Sequence, residues 1–161
     1  MRRFVRRTGS FWVPTLAAIA LLVFAAKPSQ GAEPSLAIGG YDAVAYFTQG
    51  SPRKGDPKYE YVWDDDLYYF ASAENRDLFK AHPAQYAPQF PGLCAMSLAD
   101  GAKVVPNPEN WLISDGKLYL FGKSIGPSKF SANLAGNVAR ANENWRRIQH
   151  GEAPAITDQA Q

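Results

Sequence analysis

Sulfur and imidazole are scarce in this chain: 161 residues hold one cysteine, two methionines and two histidines. A single cysteine cannot close an internal disulfide, so a disulfide scaffold and a C-x-x-C redox couple are both excluded. Three catalytic signatures are missing as well. There is no Gly-x-Ser-x-Gly elbow, no H-E-x-x-H zinc helix and no glycine loop of the kind that cradles phosphate. An ordinary hydrolytic enzyme is therefore not expected. With 46% hydrophobic and 20% charged residues, a disordered or collagen-like chain is excluded too. Internal repeats and low-complexity segments are absent. The length allows one domain and a leader.

Basic residues are also few once they are located. The formal charge is +2, but Arg2, Arg3, Arg6 and Arg7 cluster at the start. An uncharged stretch, residues 8–26, follows, and then the small and polar Pro28, Ser29, Gln30 and Gly31. This is the order of a secretory signal peptide, with cleavage expected after Gly31. The competing reading is an uncleaved anchor, but a spanning helix needs about 20 apolar residues and this run is shorter. Removing residues 1–31 takes those four arginines and Lys27 from the 17 basic residues. The 12 that remain face 15 acidic ones, a balance of −3. The mature chain lacks the basic stripe that displaces counterions from nucleic acid, so that partner is excluded. The expected organisation is a leader over 1–31, one domain over 32–150 and a C-terminal tail over 151–161. The product is periplasmic or secreted, without stable membrane insertion after cleavage.

Within the mature chain the apolar Val44-Ala45-Tyr46-Phe47 predicts a short strand. A hairpin is expected where the aromatic runs 59–63 and 67–70 flank Asp64-Asp65-Asp66. Those aspartates lack the D-x-D-x-D-G spacing of a calcium loop and read as a solvated turn. Ser72 predicts a helix N-cap, with Glu74 near the positive end and the helix running to Lys80 before Pro83. Pro91-Gly92 opens a short helix through Ala99, stopped at Gly101. Asp115-Gly116 is the strongest hairpin signal in the chain. Phe130, Leu134, Val138, Ala141, Trp145 and Ile148 mark one face of a helix ending near Gly151, with a kink expected near Gly136. Hairpins and helices in separate blocks give an α+β fold, with small hairpins packed against helices and an amphipathic C-terminal helix.

Cys94 is the residue from which chemistry is expected. A free thiol in an oxidising compartment calls for burial, where cysteine acts as a small hydrophobe, or for a function. In the first turn of the helix opened by Pro91-Gly92, unsatisfied N–H groups favour a thiolate, which is a nucleophile and a soft metal ligand. Met96 is a second soft ligand for Cu(I), against the simpler reading of core filling. In a helix, residues two apart do not share a face, so that pair needs an extended backbone. His82 is a candidate ligand, or a cation at the negative end of the Ser72 helix; His150 has the same ordinary explanation. Asp42, after Gly39-Gly40-Tyr41, is a buried acid or a turn-pinning carboxylate.

Five segments in order resemble exported YHS domain-containing proteins, over residues 38–148. The run Gly40-Tyr41-Asp42-Ala43-Val44-Ala45-Tyr46-Phe47 resembles their G-Y-D-x-V-A-Y-F opening. Leu67-Tyr68-Tyr69-Phe70-Ala71-Ser72 through Phe79, His82-Pro83 and Gln85-Tyr86 resembles the YHS core. Phe90-Pro91-Gly92-Leu93-Cys94-Ala95 is similar to Y-G-G-Y-C-A. Asp115-Gly116-Lys117-Leu118-Tyr119-Leu120 and Asn142-Glu143-Asn144-Trp145 resemble the closing D-G-K-L-Y-L and N-W elements. The resemblance implies a small α+β module, often associated with metal handling through two cysteines in Y-F-C-S-x-x-C. Here Ala71 and Asn75 stand at those positions and supply no thiolate. The exported group is labelled as including selenoproteins; selenocysteine at the position matching Cys94 would give a redox role weight.

The expected role is non-enzymatic ligand or partner binding, with a soft-metal site (Cys94, His82, Met96) or a redox site at Cys94. No cofactor is required, and copper is the metal that the sulfur ligands suit. The alternatives are a thiol redox protein using a Cys94 thiolate, and a structural protein-docking module.

Overall fold

Two pairs of turn residues in the left-handed region build the β structure. A computed structural model describes residues 33–155; the leader, its cleavage position and residues 156–161 of the tail lie outside the described residues. Asp64 (φ 51°) and Asp65 (φ 63°) close the first hairpin. It joins β2 (Asp56–Trp63) to β3 (Asp66–Phe70), with Trp63 opposite Asp66. Positive φ at both central residues matches the right-handed twist of the flanking strands. Asp115 (φ 50°) and Gly116 (φ 69°) do the same between β4 (Asn107–Ser114) and β5 (Lys117–Phe121). A short β1 (Ser35–Leu36) pairs in parallel with β3, giving the order β1-β3-β2. The fold is α+β, as the separate hairpin and helix blocks imply.

The helices divide between the two hairpins. Ser72 Oγ accepts the Asn75 N–H at 3.2 Å and starts α2 (Ala73–Ala81); Pro83 then begins α3 (Pro83–Tyr86). Phe79 of α2 is fully buried against Tyr68 and Phe70, with ring centroids at 4.5 and 5.1 Å. Such aromatic pairs add about 0.5–1.5 kcal/mol each beyond their burial. The second core joins β5 to α4 (Ala95–Ala99), α5 (Gly126–Ala132) and α6 (Leu134–Gln149) through Leu98, Phe121, Phe130 and Ala141. Tyr46 links the halves. It packs with Leu118 and Leu120, and its hydroxyl donates to the Pro108 carbonyl at 2.9 Å.

Two expectations about elements are corrected. The predicted strand at 44–47 is a helical turn, α1 (Ala45–Thr48). Asp42 Oδ1 accepts the Val44 and Ala45 N–H groups at 2.8 and 3.2 Å, and that local capping overrides the strand propensity of the apolar run. The single kinked helix near Gly136 is two helices, broken at Asn133 (φ −142°, ψ 61°). Asn133 Oδ1 accepts the Gly136 N–H at 3.3 Å and so caps α6. After α6 the Ala155 N–H donates to Asn144 Oδ1 and Arg147 Nε donates to the Ala153 carbonyl. Among the described residues no helix is long and apolar enough to cross a membrane.

Candidate ligand cleft

Cys94 precedes its helix rather than lying in the first turn. Its backbone is extended (φ −69°, ψ 119°), and its Sγ accepts from the Ser97 N–H at 3.4 Å and from the Ser97 hydroxyl at 3.2 Å. The thiol thus fills the N-cap role usually taken by an oxygen. Its backbone N–H donates to the Val104 carbonyl at 2.7 Å, which holds the chain after α4 against the start of that helix. Cys94 is 4% exposed and packs with Phe90, Leu98 and Phe121 in the second core.

That remaining exposure opens onto a cleft of about 340 Å³. Cys94, Met96, Ser97 and Asp100 line it from α4 and its two caps, and Val104 from the segment pinned by Cys94. Lys123, Ile125 and Lys129 line it from the loop after β5 and from α5. The extended backbone at Cys94 is what lets residues 94 and 96 reach one space. Glycine sets the far wall. A Cβ on Gly126 would lie 2.6 Å from Phe121 Cβ, so only glycine lets α5 begin this close to β5. A smaller space of about 100 Å³, bordered by Ile38, Pro88 and Pro108, has Asp66 as its one charged liner and neither cysteine nor histidine.

The remaining candidates are elsewhere. His82 is exposed at the junction of α2 and α3, where its N–H donates to the Leu78 and Phe79 carbonyls; it does not line the cleft. His150 caps the end of α6. Among the described residues no group of three or more His, Cys, Asp or Glu side chains is gathered as a metal-ligand set. Asp42 is both things the sequence allowed, a buried acid and a turn pin. It is fully buried, and its Oδ2 accepts the Ala71 N–H at 2.8 Å and the Asn75 Nδ2 at 2.6 Å. The backbone of Ala71 and the side chain of Asn75 therefore converge on one carboxylate.

Ser97, Asp100, Val104, Lys123, Ile125 and Lys129 escaped the sequence reading. The usable signal was an isoleucine and a lysine in a short run bracketed by Gly122 and Gly126. No family model, no curated protein and no solved structure matches the chain.

Proposed function

We propose that the chain is an exported, non-enzymatic binding protein of YHS type that takes a small ligand into the cleft beside Cys94. The observation that carries this reading is the cleft itself. Its volume of about 340 Å³ lies at the lower end of the roughly 300–1,000 Å³ usual for small-molecule sites. Its lining combines apolar side chains, cations and a thiol. Binding is favoured over thiol catalysis because Cys94 is 4% exposed and packed into the second core. A thiol buried among apolar side chains is a poor nucleophile, since its attacking sulfur must be reachable. The family assignment rests on the order of the five motifs, and export on the leader sequence.

A second reading has its own support: Cys94 and Met96 line the same cleft, so a thiolate and a thioether are available to a soft ion such as Cu(I). One experiment tests both. Cys94 labelling by a thiol reagent is followed against pH on chain 32–161, alone, with a panel of small organic ligands and with Cu(I). Slow labelling that a panel compound slows further supports the ligand reading. Protection by equimolar Cu(I), lost in Met96→Leu, supports the metal reading. A rate that no addition changes overturns both and leaves the docking module.

A further inference from the structure

We propose that this cleft selects a small organic monoanion, with its acidic head on Lys123 and Lys129 and an apolar acyl or aryl body against Met96, Val104 and Ile125. The inference rests on the cleft being the binding site and adds the class of ligand.

Charge is the first argument. The exported sequence is acidic overall, yet the cleft is lined by two lysines and one aspartate, Asp100. Lys54, Lys58 and Lys80 each lie over a tyrosine ring, and Lys58 pairs with Asp56 at 2.9 Å; Lys103 and Lys117, outside the cleft, are in no ion pair among the described residues. Among the described residues neither Lys123 nor Lys129 is in an ion pair. Two uncommitted amines on one concave surface lower the cost of seating an anion there and repel a cation.

Apolar surface is the second argument. Of the six large hydrophobic side chains left exposed among the described residues, Val104, Val105 and Ile125 lie on the two segments that frame the cleft. Val104 is 41% and Ile125 53% exposed. Covering such surface with an apolar body is favourable in proportion to the area removed from water. Size then limits the body. At the roughly 30 Å³ that one water occupies in the liquid, the space holds on the order of ten waters, a volume that an acyl chain of medium length or a single ring fills.

The test uses octanoate and its neutral isostere octanamide on chain 32–161, read by calorimetry and by protection of Cys94 from labelling. Octanoate is expected to bind at least tenfold more tightly than octanamide and to slow Cys94 labelling. The double variant K123Q/K129Q, altered only at exposed positions, is expected to remove that preference. K58Q/K117Q, with the same charge change away from the cleft, is expected to keep it. Equal binding of the two probes, both protecting Cys94, overturns the anion inference and leaves the cleft as a ligand site. Octanoate binding that neither protects Cys94 nor responds to K123Q/K129Q overturns it by placing the site elsewhere. If neither probe binds nor protects Cys94, the anion inference fails; if the ligand panel also leaves labelling unchanged, the cleft reading fails with it.

Discussion

Asp42 holds more of the fold than any other polar side chain in the described chain. Each of its oxygens accepts two hydrogen bonds, from Val44, Ala45, Ala71 and Asn75. Its burial without a cationic partner is sustained by those four donors alone. Asp42→Asn is expected to cost about 3 kcal/mol or more, because whichever way the amide turns, its NH₂ faces two donors. Asn75→Ala removes one donor and is expected to cost about half as much. Urea unfolding of both variants checks the order; an Asp42→Asn protein as stable as wild type would sink this account. The turn-pinning role was legible in Gly39-Gly40-Tyr41-Asp42. The partner 33 residues away was not, because only packing of α2 on β3 brings Asn75 to that carboxylate.

Among the elements, α2 was readable in full. Ser72 caps it, and Glu74 lies in its first turn. The Glu74 carboxyl is held below its ordinary value, first by its own backbone N–H and then by the Ser72 hydroxyl. A lowered carboxylate pKa means that the folded state binds the proton less tightly than the unfolded chain. Its contribution is present above the unfolded value of 4.5 and is lost as pH falls through the folded one. Ser72→Ala is expected to move the Glu74 titration, followed by NMR, back toward 4.5. Loss of the cap is expected to cost about 1 kcal/mol. Segment 44–47 and the break at Asn133 misled the sequence reading for one shared reason. A side-chain oxygen two or three residues away takes backbone N–H groups, and that contact outweighs the apolar periodicity from which a strand or a continuous helix was read.

At the scale of the whole molecule, the described residues form two aromatic cores joined through Tyr46, and the alkaline limit belongs here. Burial raises the Tyr46 and Tyr68 phenols above 10.0, with acidic neighbours adding to the effect. The fold thus retains protons that the unfolded chain gives up. That contribution is complete below pH 10 and is lost as pH rises toward the folded values. Stability is expected to fall above pH 10, with the tyrosinate absorbance of these two residues emerging only together with loss of structure. Their ionisation in an intact fold would contradict it. By itself the sequence determined the α+β class, both hairpins and the Ser72 cap, because turn residues and caps act over a few positions. Tertiary structure alone decided the cleft. It made Cys94 a cap rather than a first-turn thiol, left His82 apart, and gathered Cys94, Met96, Val104, Lys123, Ile125 and Lys129 around one cleft. The reason is physical: that convergence depends on the Cys94–Val104 backbone bond and the close approach of Gly126 to Phe121, and neither leaves a periodic trace in the chain.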